Sequence, residues 1–188
     1  MKMLSPTLMK DNLNLIVNKE NKMKKYNNFD HPQNRLVRPY LYGAYGSNLD
    51  EEQMAGRCPN ARKVGKMQLP DYELVFRNVA DIRTAKGSAV EIGLWQITQG
   101  CEDVLDLYEG FPTLYDKIFI TTPELEAEFG YKVMIYQMVD REWLAPPAHG
   151  YLQGIAQGYK HFDMDMEYLL HAVKRSFNEE SPVRLDLF

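Results

Sequence analysis

The chain has 188 residues, of which 45% are hydrophobic, and this length is enough for one domain with a substantial buried core. The formal net charge is −4, but residues 1–39 contain eight Lys or Arg and only three Asp or Glu, so the rest of the chain is distinctly acidic. Because neutralisation of phosphates supplies most of the affinity for nucleic acid, we do not expect this acidic domain to bind DNA or RNA.

The first 37 residues are rich in Asn and Lys and contain one short apolar cluster, at residues 13–17. This composition predicts a flexible or loosely docked basic arm. A short helix that packs on a partner is the alternative. Residues 38–188 are then expected to form a single domain.

The first predicted strand of this domain ends in a glycine turn. Residues 40–45 are mostly aromatic and aliphatic, Gly46 allows close backbone approach, and residues 50–56 have the acids and helix formers of a helix start. A strand, a turn and a helix start present unpaired backbone N–H groups, which suit a carboxylate, a phosphate or an oxyanion. The alternative is that Ser47 or Asn48 simply caps the helix.

Strands dominate the middle of the chain. Residues 64–76 alternate loosely around a proline, which predicts two short strands or one bent strand. Residues 78–87 are expected to form a loop or an irregular strand. Alternation over residues 88–97 predicts the clearest strand after the first. A hairpin follows, with strands at 115–121 and 131–139.

Helical periodicity occurs after the long strand and again at the end of the chain. After the long strand, four apolar residues recur at the spacing of one helical face: Cys101, Val104, Leu105 and Tyr108. Gly110 should end this helix in a left-handed conformation, which makes Glu109 its last residue. Apolar faces between residues 151 and 177 predict terminal helices. The pattern predicts an α+β fold, with a mixed, curved or barrel-like sheet and flanking helices.

Glu109 is the candidate base. It lies at the C-terminal end of a helix, which is the negative end of the helix dipole and raises the proton affinity of a carboxylate by about 0.3–1 kcal/mol. Its apolar neighbours Tyr108, Phe111 and Pro112 would add desolvation in the same direction. A carboxylate with a raised pKa is a better base near neutral pH. The alternative is an ordinary solvated glutamate in a last helical turn.

Other reactive side chains form no recognisable pattern. Neither Cys58 nor Cys101 has a His at a spacing typical of an activated thiol, and the four histidines do not match a metal-ligand motif. Two cysteines are also too few for a disulfide framework, which indicates a reduced, cytoplasmic setting. The sequence therefore predicts no metal and no cofactor. No apolar stretch approaches the length of a membrane span, so we expect no membrane partner.

Two motifs about sixty residues apart carry the clearest functional signal. The first is Tyr-Gly-Ser-Asn-Leu at residues 45–49, and the second is Leu-Asp-Leu-Tyr-Glu-Gly-Phe-Pro-Thr-Leu-Tyr at residues 105–115. The strand Val-Glu-Ile-Gly-Leu-Trp lies between them, at residues 90–95. In this order they resemble the gamma-glutamylcyclotransferase superfamily, which includes AIG2-like and BtrG-like proteins. The resemblance runs from about residue 40 to the terminal helices.

The resemblance implies an enzyme that cyclises a gamma-glutamyl amino acid or amine to 5-oxoproline and releases the amine. Glu109 would be the general acid/base, and no cofactor would take part. The backbone N–H groups of residues 46–48 would bind the substrate's α-carboxylate or the oxyanion. The substrate-binding residues that the resemblance implies are Tyr45, Gly46, Ser47, Asn48, Leu49, Tyr115, Tyr136 and Tyr151.

Two other functions are compatible with the same resemblance. BtrG-like members remove a gamma-glutamyl group from a larger amine, and the loops at residues 78–87 and 122–131 would then decide access. A protein of this fold could instead bind a gamma-glutamyl ligand without turnover, since a fold and a pocket do not guarantee chemistry. In each case the expected partner is a small gamma-glutamyl molecule, with glutathione as one candidate. The expected assembly is a monomer or a homodimer.

Overall fold

The computed structural model of the protein describes residues 40–121, 132–139 and 143–177. The strands in this part of the chain are β1 (Tyr40–Ala44), β2 (Arg62–Arg77), β3 (Val79–Gln96), β4 (Tyr115–Ile120) and β5 (Lys132–Met138). The α-helices are α1 (Glu51–Arg57), α2 (Gln99–Glu109), α3 (His149–His161) and α4 (Met166–Ser176), and Ser47–Leu49 form one turn of 3₁₀-helix. The predicted arm and the predicted loop at 122–131 lie outside the described residues.

The five strands form one mixed sheet in the order β2-β3-β1-β5-β4. The central strand β1 is antiparallel to β3 and parallel to β5, and the outer pairs are antiparallel. Helices flank this sheet, so the predicted α+β fold is confirmed. No helix in the described ranges is long and apolar enough to cross a bilayer.

The long hairpin of β2 and β3 resolves two alternatives left by the sequence. Residues 64–76 belong to one strand, which has pairing irregularities between Lys63 and Gly65 and between Pro70 and Tyr72. Residues 79–87 are the irregular first half of β3 rather than a loop. Asn78 makes the tight reversal between the strands with a φ of 64°. Pairing with β2 thus extends the strand well beyond the alternating segment.

Helix α2 has the bounds that its local signals predict. Thr98 caps its start, because its hydroxyl accepts a hydrogen bond from the Cys101 backbone N–H at 3.2 Å. Gly110 ends it with a φ of 66°. Its buried face is narrower than predicted, since Val104 is 42% exposed and Tyr108 is 49% exposed. The face centres on Cys101 and Leu105, which are buried.

Helix α1 is capped by Asp50, whose side chain accepts a hydrogen bond from the Gln53 backbone N–H at 2.9 Å. The alternative in which Ser47 or Asn48 caps this helix is therefore wrong. The 3₁₀ turn instead precedes the cap, so the side chains of Ser47 and Asn48 are available for other contacts. This separation of cap and turn is what leaves the turn facing a cavity.

The terminal helices complete the packing around the turn and the sheet. Helix α3 lies against the 3₁₀ turn, and α4 lies against β2, where Arg175 donates to the Leu74 carbonyl at 2.9 Å. The segment at residues 143–148 is attached to the hairpin through Ala145. The Ala145 N–H donates to the Phe76 carbonyl at 2.9 Å, and the Ala145 carbonyl accepts from Asn78 at 3.1 Å.

Candidate active site

The 3₁₀ turn, the end of α2 and the start of β4 meet around a cavity of about 240 Å³. Eight of the nine predicted site residues line this cavity: Tyr45, Gly46, Ser47, Asn48, Glu109, Tyr115, Tyr136 and Tyr151. They come from four separate parts of the chain. The fold therefore gathers the two sequence motifs and the later tyrosines into one place.

Leu49 is the predicted site residue that does not line the cavity. Its side chain is fully buried in the core. A Cβ added at Gly158 would lie 2.4 Å from the Leu49 Cβ, so α3 packs against Leu49 at a distance that only glycine allows. A Cβ at Gly93 would lie 2.6 Å from the Leu49 side chain. Leu49 thus anchors the turn between the sheet and α3.

Glu109 is partly buried at the cavity wall, and its Oε1 accepts a hydrogen bond from Asn48 Nδ2 at 2.9 Å. Burial raises the pKa of Glu109 to about 7, although the Arg57 charge and the Asn48 hydrogen bond act in the opposite direction. The predicted direction is confirmed. Its cause is burial of the carboxylate, although Tyr108 and Phe111 are themselves exposed.

The Asn48 side chain is fixed by hydrogen bonds at both of its polar atoms. Its Nδ2 donates to the Tyr42 hydroxyl at 2.8 Å as well as to Glu109, and its Oδ1 accepts from Arg57 Nη1 at 2.6 Å. The Asn48 backbone carbonyl accepts from Trp95 Nε1 at 3.0 Å. These contacts place a neutral hydrogen-bond donor directly on the candidate base.

The 3₁₀ turn has two backbone N–H groups available to a ligand. The N–H groups of Leu49 and Asp50 donate to the carbonyls of Gly46 and Ser47, at 3.0 and 3.2 Å. For the N–H groups of Ser47 and Asn48, no acceptor occurs among the described residues. Both residues line the cavity. Such a pair of donors suits an anionic group.

The predicted tyrosines differ in whether their hydroxyl groups already donate a hydrogen bond within the protein. Tyr115 donates to the Ala80 carbonyl at 2.9 Å, Tyr136 donates to Asp106 Oδ1 at 2.5 Å, and Tyr45 donates to the Tyr136 carbonyl at 2.7 Å. The Tyr151 hydroxyl instead accepts from the Ala80 backbone N–H at 3.1 Å. Its own proton has no acceptor among the described residues. Burial raises the pKa of Tyr151 to about 12, so it stays a donor at neutral pH.

The two cysteines lie together behind this site, not in it. Cys58 Sγ lies 3.5 Å from the Cys101 carbonyl, both thiols are buried, and neither residue lines the cavity. Nothing in this arrangement presents a thiol nucleophile to a ligand. Within the described ranges, no three His, Cys, Asp or Glu side chains form a group that could hold a metal ion.

The family described as "Gamma-glutamyl cyclotransferase, AIG2-like" matches residues 42–160. This match covers more than half of the chain and contains both motifs. The chain belongs to this gamma-glutamyl cyclotransferase, AIG2-like family. The cavity described above is thus the cavity of a family member, built from the segments that the family match contains.

Similar proteins agree with this assignment. A Bos taurus protein named Gamma-glutamylcyclotransferase is 30% identical over 142 residues, which are 69% of this chain and 74% of that protein. A solved structure named Gamma-glutamyl cyclotransferase has a TM-score of 0.62 at 26% identity and covers 79% of this chain and 95% of its own. An uncharacterized Homo sapiens protein has a TM-score of 0.60, with the same identity and coverage.

Several residues at the site of this family member are not predicted from the sequence. Tyr42, Val79, Ala80, Tyr108 and Leu114 also line the cavity, and Arg57 lies directly behind it. Arg57 ends α1, and its guanidinium carbon lies 3.9 Å from the centroid of the Tyr108 ring. Its Nη2 donates to the Tyr108 hydroxyl at 2.7 Å. Arg57 lies nine positions after Asn48 across two different elements, so no helical or strand spacing links them. The one available signal was that Tyr108 directly precedes the candidate base.

Proposed function

We propose that this protein cyclises a gamma-glutamyl amide to 5-oxoproline and releases the attached amine, with Glu109 as general acid/base. The observation that carries this proposal is the protonation behaviour of Glu109. This carboxylate is partly buried, its pKa is raised to about 7, and it lines a small cavity together with the polar residues Ser47 and Asn48. A base with a pKa near the working pH is half deprotonated there and can also return the proton. Membership of the family supports the same reaction.

The chemistry balances with no second substrate. The substrate's α-amino nitrogen attacks its own side-chain amide carbon, so a carbon–nitrogen bond forms in the new five-membered ring. The α-amino group is an ammonium before it reacts, so it first gives one proton to Glu109, which delivers that proton to the departing nitrogen as the original amide bond breaks. The second proton lost by the attacking nitrogen leaves with the released amine, which departs as an ammonium. Because nucleophile and electrophile are in one molecule, the site mainly has to hold the folded conformer.

The 3₁₀ turn supplies the donors that this reaction needs. The free N–H groups of Ser47 and Asn48 would bind the α-carboxylate or the tetrahedral oxyanion, and the Tyr151 hydroxyl would add a third donor. Donors fixed in advance by the fold stabilise charge that develops in the transition state. A single such donor typically contributes about 10²–10³ in rate.

The cavity also indicates what the substrate looks like. Its volume of about 240 Å³ suits a glutamyl group, whereas pockets for larger ligands typically reach about 300–1,000 Å³. Two of its lining residues are well exposed, Val79 at 36% and Leu114 at 61%. The rim is therefore open, which favours release of an amine that extends beyond the cavity. Removal of a gamma-glutamyl group from a larger amine is the second candidate function, and this open rim supports it.

The test is release of 5-oxoproline from gamma-glutamyl dipeptides, gamma-glutamyl amines and glutathione. Glu109→Gln keeps the side-chain shape and removes the base, so we expect turnover to fall by about 10²–10⁴. The matched control is Glu52→Gln, because Glu52 is exposed on α1 and does not line the cavity. Turnover that survives in Glu109→Gln would overturn the assigned role. Tight binding with no turnover by the wild type would favour the ligand-binding alternative.

A further inference from the structure

Behind the candidate base, the Arg57 guanidinium donates hydrogen bonds to four different side chains. Its Nη1 donates to Asn48 Oδ1 at 2.6 Å and to Ser47 Oγ at 3.3 Å, and its Nη2 donates to Gln53 Oε1 at 2.9 Å. Arg57 itself does not line the cavity. Its contacts therefore reach the site through other residues.

We propose that Arg57 is a positioning residue, which fixes the Asn48 amide so that Asn48 Nδ2, not Oδ1, faces Glu109. This inference deepens the proposed function and depends on Glu109 being its acid/base. The substrate is not expected to touch Arg57. The residue acts through Asn48 on the protonation of Glu109.

The orientation of the amide follows from the chemistry of the guanidinium group. A guanidinium has N–H donors and no acceptor, so only the oxygen of an amide can face it at hydrogen-bond distance. Asn48 Oδ1 therefore lies on Arg57, and Nδ2 is turned to Tyr42 and Glu109. Without Arg57 the amide could rotate, and its oxygen would then face the Glu109 carboxylate. A hydrogen-bond donor favours the carboxylate, whereas an acceptor in its place favours the acid.

The bonds to Gln53 and Tyr108 hold the guanidinium in place. Gln53 lies one turn earlier on α1, and Tyr108 directly precedes Glu109 on α2. The Arg57 fork thus spans α1, the 3₁₀ turn and α2 at once. Lysine has a single ammonium on a flexible stem and lacks this planar fork.

Arg57 is also the charged group that acts on Glu109. The other titratable side chains that line the cavity with Glu109 are six tyrosines. Chiefly by burial, the pKa is raised for five of them, which remain neutral at working pH: Tyr42, Tyr45, Tyr115, Tyr136 and Tyr151. The sixth is Tyr108, whose ring lies against Arg57. Asp81 lies behind Tyr45 and Tyr115 and is paired with Arg77 at 2.9 Å. The Arg57 charge acts to lower the pKa of Glu109, as does the Asn48 hydrogen bond.

The test measures the titration of Glu109 in the free protein, by ¹³C NMR of labelled glutamate carboxyls assigned with Glu109→Gln. Arg57→Met removes the fork and the charge, and we expect the midpoint to rise by about one pH unit or more. Arg57→Lys keeps the charge without the fork and should give a smaller rise. If Arg57→Met does not fold, the titration of Glu109 in Arg57→Lys is the measurement that tests the proposal. The control is Lys174→Gln, which removes an exposed charge from the last turn of α4 and should leave the midpoint unchanged.

The pH profile of kcat/KM gives the second readout. We expect activity of Arg57→Met at pH 7 to fall about five-fold or more and to recover in part as the pH rises, because the base is then deprotonated again. A loss that is the same at every pH, with an unchanged Glu109 midpoint, would overturn the positioning role. That result would leave the proposed function intact. If the midpoint shifts while the wild type releases no 5-oxoproline, the positioning role stands and the proposed function fails.

Discussion

Helix α2 carries a pair of carboxylates and, at its end, a single carboxylate with different surroundings. Near its middle, Glu102 and Asp106 share a direct cation, since Lys117 Nζ lies 2.6 Å from Glu102 Oε1 and 2.7 Å from Asp106 Oδ1. At its end, Glu109 receives only a neutral amide, and the nearest cation acts through Asn48. The same helix thus holds a charge-paired group that packs α2 against β4 and a carboxylate that is left to titrate near pH 7.

The comparison shows how one helix can separate structure from chemistry. Burial would lower the pKa of Lys117, but its hydrogen bonds to Asp106 and Glu102 outweigh burial and raise it. Lys117 therefore keeps its charge at neutral pH. Glu109 has no such cation in contact among the described residues, so burial dominates and its pKa lies near 7. Each of the following changes tests one side of this contrast.

The largest expected effect comes from removing the shared cation. Lys117→Met removes the ammonium that lies 2.6 Å from the buried Glu102 carboxylate, and breaking a buried ion pair typically costs about 3–5 kcal/mol. We expect a loss of this size, reduced where Asp106 is partly exposed, in the free energy of urea unfolding at pH 7. Adding Glu102→Gln and Asp106→Asn removes the two carboxylate charges that faced Lys117 and should restore most of the stability. A single Lys117→Met variant as stable as the wild type would show that the cluster is not structural.

The next effect is a pH dependence of stability that Glu109 alone should cause. The folded pKa is about 7 against an ordinary value of 4.5, so the folded state binds this proton more tightly. Protonation therefore favours folding, and this contribution is lost as pH rises from about 4.5 to about 7. We expect Glu109→Gln to be more stable than the wild type at pH 8, by about 1–3 kcal/mol, and similar to it near pH 4.

Urea unfolding of both proteins at the two pH values measures this difference, with Glu52→Gln as the exposed control. A difference that stays constant between pH 4 and pH 8 would contradict the raised pKa. This measurement needs no substrate. It therefore tests the electrostatics of the site separately from its activity.

Replacing the neutral Asn48 amide by a second carboxylate should raise the pKa of Glu109 further. Asn48→Asp keeps an oxygen for Arg57 and places another oxygen where Nδ2 lies 2.9 Å from Glu109. Two carboxylates in contact cannot both ionise readily, so the pKa of Glu109 should rise again. We expect kcat/KM at pH 7 to fall about ten-fold or more, with the acidic limb of the pH profile moved upward. An unmoved limb would show that Asn48 does not tune the base.

Much of this architecture is predictable because its signals are local. Thr98 and Gly110 cap α2 through contacts within a few residues, so the position of Glu109 at a helix end follows from the sequence. The 3₁₀ turn is likewise marked by its own glycine and polar residues. The family resemblance then brought the two motifs and the later tyrosines into one expected site, and the cavity contains eight of those nine residues.

The features that were missed depend on contacts between distant parts of the chain. Tyr108 occupies a position on the predicted apolar face but is 49% exposed, because it lies over Arg57 and does not enter the core. Leu49 looked like a binding residue from its motif, yet Gly93 and Gly158 enclose it in the core. No local pattern reports which distant residue will pack against a given position. The different roles of the Tyr115 and Tyr151 hydroxyls are decided in the same way, by the backbone carbonyl and N–H of Ala80.

The smallest effects are expected from two conservative tyrosine variants, one next to the Lys117 ion pairs and one in the cavity that Glu109 lines. Tyr136→Phe removes a donor to Asp106, which keeps Lys117, so we expect a loss of about 1–2 kcal/mol in stability and little change in kcat/KM. Tyr151→Phe removes a hydroxyl whose proton has no acceptor among the described residues, and we expect kcat/KM to fall about ten-fold or more with little loss of stability. Urea unfolding and 5-oxoproline release on both variants measure the four values. If Tyr136→Phe instead loses activity and Tyr151→Phe loses only stability, the proton that serves the ligand is the one now bonded to Asp106, and that bond must open during turnover.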